Sequence, residues 1–299
     1  MSPLYGGVEA GGTKFVCVVA DEKTNIVSEE IISTSTPQET LSEVIDFFKK
    51  HEQIEKSHLT AIGVGSFGPL DLHPLSDTYG SITSTPKPGW ADTPILNILK
   101  TALEIPIAID TDVNTALLGE KEWGVGTNID NLVYITIGTG IGGGAFTHGQ
   151  PIHGLLHTEM GHMRIPHNIE EDPYPGCCPF HNDCWEGLAS GPAIAERWGI
   201  SADLLPPDHP AWGLEAHYIA LGITNLICAL SPQRIVLGGG VMKQLQLFPL
   251  IRNEVINILN GYIQMPAITT LNDQYIVPPK LGDRSGVLGA IALAMRNHE

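Results

Sequence analysis

The chain has 299 residues, 42% hydrophobic and 16% charged, a composition that suits a globular protein of one large or two medium domains. Its 33 acidic residues outnumber 16 basic ones, for a formal charge of −17. That excludes nucleic acid as a natural partner, because phosphate-backbone binding needs clustered Lys and Arg, and leaves an anionic substrate dependent on backbone N–H groups, Mg²⁺ or a few local cations. With no run of eighteen consecutive apolar residues and no basic-then-apolar leader, the expectation is a cytoplasmic protein with no membrane span.

The first forty residues read as strands and turns. Apolar runs at 5–9 and 15–20 flank Gly11-Gly12-Thr13-Lys14, a strand, glycine turn, strand pattern. Leu41, Val44, Ile45 and Phe48 fall at helical spacing within 39–51. Strands are expected at 59–65 and 105–109. The second ends in Asp110-Thr111-Asp112-Val113-Asn114, and a helical run follows through Ala116, Leu117 and Leu118. Then the opening pattern recurs, with a strand at 132–137, a turn over 138–144 and a further strand beginning at Ala145-Phe146. This is a weak internal repeat, in pattern more than identity. Residues 160–188, rich in His, Cys, Pro and Gly, read as irregular. Helices are expected at 215–230, 248–259 and 285–295, and a short strand at 234–237 enters Gly238-Gly239-Gly240. Strands alternating with helices indicate an α/β protein, here as two halves that each carry a sheet.

Three glycine clusters, at 11–12, 138–144 and 238–240, each follow an apolar strand. One alone reads as a tight turn. Three at strand ends point to backbone N–H groups cradling an anion. Gly138, Gly140 and Gly143 match G-x-G-x-x-G, but no helix start follows them, which disfavours a dinucleotide site. The sequence also lacks G-x-x-x-x-G-K-[ST], so phosphate would be gripped by β-hairpin turns.

Asp110 and Asp112 stand between a strand and a helix. They read either as helix-capping carboxylates or as a base that takes a proton from a hydroxyl attacking a γ-phosphate. Asn114 is placed to bond the same substrate. Cys178, His181 and Cys184 are spaced C-x-x-H-x-x-C, with His162 upstream. Two thiolates and two imidazoles suit a closed, structural tetrahedral Zn²⁺. Cys177 and His167 are spare candidates, while Cys17 and Cys228, in apolar runs, read as core. Glu159 and Glu186 flank this loop, as surface charges or as partners for sugar hydroxyls.

These motifs, with Thr85-Pro86-Lys87-Pro88-Gly89-Trp90 and Leu237 to Met242, resemble the ROK family over nearly the whole chain, and most of all its bacterial fructokinase branch. The resemblance implies a duplicated actin/hexokinase-like (ribonuclease H-like) α/β fold, two domains around an ATP/sugar cleft. The first would span 1–117, completed by the C-terminal helix 285–299. The second would span 118–284, with a zinc loop at 162–184. The implied activity is transfer of phosphate from ATP to fructose, with glucose, mannose or N-acetylmannosamine as alternative sugars. Asp112 would be the base, and Asn114, Glu159, His162 and Glu186 would contact sugar, His162 also serving the metal. Gly11, Gly12, Thr13, Lys14, Gly138, Thr139, Gly140, Pro192, Gly238, Gly239, Gly240, Val241 and Met242 would hold the nucleotide, with Mg²⁺ as its counter-ion. The resemblance also implies a homodimer. Glu9 departs from the Asp common in relatives, and His181 replaces the third cysteine of many glucokinases. A DNA-binding repressor or a non-catalytic sugar sensor is the competing class. It is disfavoured because the first glycine turn comes within fifteen residues of Met1 and Asp112 is retained.

Overall fold

The computed structural model describes residues 3–55, 58–270 and 273–297. Contacts divide the chain into two compact units. One takes residues up to Asn128, Pro151–His157 and the stretch from Lys280 onward. The other takes Ile129–Gln150 and Thr158–Pro279. The boundary expected at 117/118 falls inside a helix that packs wholly within the first unit, which therefore runs on to Asn128.

The first unit runs β1 (Leu4–Ala10), β2 (Lys14–Asp21), β3 (Ile26–Ser33), α1 (Pro37–Glu55), β4 (Leu59–Ser66), α2 (Ile95–Leu103), β5 (Ile107–Thr111) and α3 (Asp112–Glu122). Its sheet has the order β3-β2-β1-β4-β5. β1–β2 and β2–β3 pair antiparallel, and β1–β4 and β4–β5 pair parallel. The central strands β1 and β4 are buried on both faces, which is why they read as continuous apolar runs. Val8, Phe15, Val64, Ile82, Trp90 and Ile95 sit in one fully buried core.

The second unit runs β6 (Leu132–Ile137), β7 (Ile141–Thr147), β8 (Gln150–Pro151), α4 (Trp185–Ala189), α5 (Gly191–Trp198), α6 (Ala211–Leu230), β9 (Arg234–Gly238), α7 (Leu247–Leu259), α8 (Pro266–Thr269) and β10 (Ile276–Val277). Its sheet order is β10-β9-β6-β7-β8. Counted in chain order, this is the first sheet's arrangement again, with an antiparallel hairpin beside strands that return parallel. The weak repeat in sequence is thus a repeat of topology. The turn expected over 138–144 is shorter. Gly142, Gly143 and Gly144 lie within β7, facing Thr136, Ile135 and Tyr134 of β6. Glycine is a poor strand former unless something approaches closely, and here a Cβ on Gly143 would lie 2.7 Å from Met160 Sδ. α6 is long and apolar enough to pass a test for a membrane span, yet more than half of that stretch is buried inside the protein. It packs on α7 and α4 as a core helix. Cys17 is buried as expected, but Cys228, on α6, is exposed.

The chain then returns to the first unit as α9 (Ser285–Arg296), which packs on α3, β4 and β1. The contact is backbone against backbone. A Cβ on Gly289 would stand 1.6 Å from the Thr115 carbonyl, and one on Gly63 would stand 1.9 Å from that of Ala290. Glu120 of α3, fully buried, receives this return. Its Oε1 accepts from Leu281 N at 2.8 Å and Ser285 Oγ at 2.8 Å, and its Oε2 from Lys280 N at 3.1 Å and Val125 N at 3.0 Å.

Candidate active site

In the first unit the β1–β2 hairpin turns through Gly11, Gly12 and Thr13. Gly11 N donates to Lys14 O at 3.0 Å, Thr34 Oγ1 to Gly11 O at 2.8 Å and Thr34 N to Thr13 O at 3.0 Å. The turn is thus braced from β3's end, while Gly12 and Thr13 remain exposed, with open space where a Gly12 Cβ would stand. Glu9, next to the last residue of β1, lies against the start of α9, where a Cβ on Gly286 would lie 2.5 Å from its Cδ. Burial pushes its carboxyl up from 4.5 to about 7. The negative charge of Asp112 adds to the rise, and Lys14 and the Val287 backbone oppose it.

Asp112 is the first residue of α3. The capping role goes to Thr111, whose hydroxyl accepts from Asn114 N at 3.1 Å. Asp112 Oδ1 accepts from Val113 N at 2.8 Å, and the residue is only half-buried. Asp110 is buried and structural. It accepts from Thr111 N at 2.7 Å, from Asn114 Nδ2 at 2.7 Å and from His153 Nε2 at 3.1 Å. So the Asn114 amide nitrogen holds Asp110, and both residues are buried. His153 belongs to the segment Pro151–His157, which joins the first unit. A neighbour in that segment, His157, accepts from Leu70 N at 3.0 Å. The hydrogen bond to Asp110 raises the His153 pKa, against partial burial. Neither His153 nor its pairing with Asp110 carries a local signal in the sequence.

In the second unit the β6–β7 hairpin is tipped by Gly138, Thr139 and Gly140, with Thr139 exposed. Gly138 N donates to Gly140 O at 2.9 Å, and Gly191 N donates to Gly138 O at 2.7 Å. A Cβ on Gly138 would lie 3.8 Å from Gly240 N. Gly239 holds a φ of +91° and could not carry a side chain without meeting Ile137 O at 2.3 Å. Pro192 opens α5 behind its Ser190 cap. The structure therefore brings Gly138, Thr139, Gly140, Pro192, Gly238, Gly239, Gly240, Val241 and Met242 to one end of this sheet, although Val241 and Met242 are buried and offer mainly backbone. Glu186, the second residue of α4, is partly committed: its Oε2 accepts from Ile141 N at 2.9 Å and lies where a Cβ on Gly140 would fall. Glu159 is exposed at the start of a single 3₁₀ turn, residues 160–162, that leads to His162.

His162, Cys178, His181 and Cys184 converge, with all four ligand atoms within 4.8 Å of one another. Cys178 Sγ lies 3.7 Å from Nδ1 of both His162 and His181, and Cys184 Sγ lies 3.7 Å from His162 Nδ1. Bond lengths of about 2.3 Å to sulfur and about 2.0 Å to nitrogen put tetrahedral ligands roughly 3.5 Å apart, so the set fits a single four-coordinate ion. The spare candidates stand outside it. Cys177 Sγ contacts Ser190 Oγ at 3.6 Å, and His167 is held by Asp172 O at 2.9 Å and Asp183 Oδ2 at 3.5 Å. Arg164 ties the loop together, donating to His181 O at 2.7 Å and pairing with Asp183 at 2.6 Å.

Two units with the same sheet order, each tipped by a glycine hairpin at the strand ends, define the duplicated actin/hexokinase-like α/β class. The ROK family's sequence profile matches residues 5–297. A putative fructokinase of Bacillus subtilis (strain 168) is 46% identical over 291 residues, 97% of this chain and 95% of its own length. A fructokinase of Lactococcus lactis subsp. cremoris is 46% identical over 295 residues, 98% of each chain. Among solved structures, the ROK hexokinase from Thermus thermophilus superposes with a TM-score of 0.80 at 25% identity, covering 98% of each chain. The chain belongs to the ROK family.

Proposed function

We propose that this protein is an ATP-dependent fructokinase in which Asp112 is the general base. The observation that carries the reading is the pairing of fructokinase relatives over almost the full length with a half-buried aspartate as the first residue of α3, where Thr111 makes the cap. Asp112 takes the proton of the attacking sugar hydroxyl as the γ-phosphoryl group moves onto that oxygen and ADP leaves. A base so placed contributes about 10²–10⁴-fold. The hairpin at Gly11 to Lys14 and the cluster of Gly138 to Gly140 with Pro192 and 238–242 supply backbone N–H groups to the nucleotide. The Asn114 amide oxygen, Glu159, the second oxygen of Glu186 and His162 offer hydrogen bonds to a polyol. Bound Mg²⁺ would neutralise polyphosphate charge, and the neighbouring carboxylates of Glu9 and the half-buried Asp112, with Lys14 as the opposing cation, fit a divalent cation. The Cys/His set reads as structural Zn²⁺: four protein ligands leave no open position for water, and the loop it closes has little core of its own.

The test is an ADP-release assay with ATP and a panel of hexoses. Fructose should show the highest kcat/KM. Faster turnover of glucose, mannose or N-acetylmannosamine would move the assignment to that sugar, and no ADP release with any of them would end the kinase reading.

A further inference from the structure

Lys87 lies far in sequence from the first phosphate turn, yet its ammonium nitrogen stands 2.5 Å from the Gly12 carbonyl and donates to it. The loop that carries it is anchored. Pro86 and Pro88 flank the lysine and fix the backbone on either side. Trp90, fully buried, donates from Nε1 to Ser35 O at 2.9 Å and packs on Phe15 and Phe67 with ring centroids 5.5 and 5.4 Å away. Phe15 is the residue after Lys14, so the anchor of the Lys87 loop and the phosphate hairpin share one piece of core. The charge pattern is telling. In a chain with 33 acids and 16 bases, Lys87 pairs with no carboxylate among the described residues. One of its three N–H donors holds the turn, and two remain for a ligand.

We infer that Lys87 is a phosphate-binding residue of the transfer step, set at the tip of the Gly11–Gly12 turn to grip the γ-phosphoryl group of ATP. The inference rests on the kinase reading above. In the step, a fructose oxygen forms a bond to the γ-phosphorus, the bond from that phosphorus to the β,γ-bridging oxygen breaks, and the bridging oxygen leaves as the β-phosphate terminus of ADP. The hydroxyl proton goes to Asp112. Negative charge is spread over the three non-bridging oxygens of the moving group, and a lysine fixed there stabilises it most at the transition state. ADP lacks that group, so its binding should be indifferent to Lys87.

The experiment compares wild type, K87M and K87R. Wild-type turnover of fructose is measured first, and its failure would strike the kinase reading alone. K87M should then lose about 100-fold in kcat, the scale of one removed charge-stabilising donor. Its affinity for a non-hydrolysable ATP analogue, by calorimetry with Mg²⁺, should fall about 10-fold, as for a lost charge-assisted hydrogen bond, while ADP affinity and melting temperature stay at the wild-type values. K87R should recover part of kcat. The analogue-against-ADP contrast needs no sugar, so it tests Lys87 even if the substrate is not fructose. Equal losses for analogue and ADP would show a lysine that merely braces the turn, and kcat within threefold of wild type would show one with no part in transfer. Either result overturns the inference.

Discussion

Replacing Asp112 with Asn tests the base directly, and the structure lets the side effects be separated from the chemistry. The Asn side-chain oxygen retains the acceptor for Val113 N, so the local turn is kept, and Thr111 still caps α3. The loss of a negative charge in the first helical turn costs about 0.3–1 kcal/mol. Against this, Glu9 is relieved of a like charge. In the wild type its folded-state pKa is raised to about 7 from 4.5, so its ionisation weakens the fold as pH rises from near 4.5 through about 7, and the penalty is fully present above that. Removing Asp112 shrinks that penalty. The variant should therefore match or exceed wild-type stability at pH 8, and the difference should move in favour of the wild type toward pH 5, where folded Glu9 is largely protonated in both. Chemistry behaves differently. Losing the base should cut kcat about 10²–10⁴-fold, or roughly 2.7–5.4 kcal/mol of barrier, with ATP affinity little changed. Single-turnover kinetics with fructose, together with urea unfolding at the two pH values, read both effects. A variant that keeps more than a tenth of wild-type kcat would refute the assignment of Asp112 as base.

Further outcomes follow from the other clusters. A strong chelator should lower the melting temperature by at least about 10 °C, because a closed Cys₂His₂ site contributes about 10–16 kcal/mol of apparent binding energy. Elemental analysis should find one zinc per chain, and an unchanged transition with no metal present would remove the ion. Glu120→Ala should destabilise by about 3–5 kcal/mol, because it removes the acceptor of three backbone donors around a buried hole and leaves the Ser285 hydroxyl only the Gly282 carbonyl. A loss below about 1 kcal/mol in urea unfolding would show that α9 docks without that carboxylate.

What could be read from the sequence was what depends on near neighbours. Glycines that turn a hairpin, an acid between strand and helix, and a Cys and His cluster within one short loop are local features, and each shows at its own position in the sequence. The overall α/β alternation was legible for the same reason, since burial imposes a period on each segment. Where a local rule was overridden, the reading failed. Gly142 to Gly144 suggest a turn but form strand, because they pair with β6, and Met160 leaves no room for a side chain at Gly143. The sequence pattern also leaves α2 and α5 without a helical expectation and starts β7 later than Ile141.

Tertiary structure decided everything that joins distant positions. His153 meets Asp110 across 43 residues, Lys87 meets Gly12 across 75, and Glu120 receives Lys280 across 160. It also showed that the faint repeat is a twofold use of one sheet order. The reason is that a chain's own periodicity tells which face of an element is buried, while the partner on that face depends on how the sheets and helices pack, and no spacing along the chain encodes it.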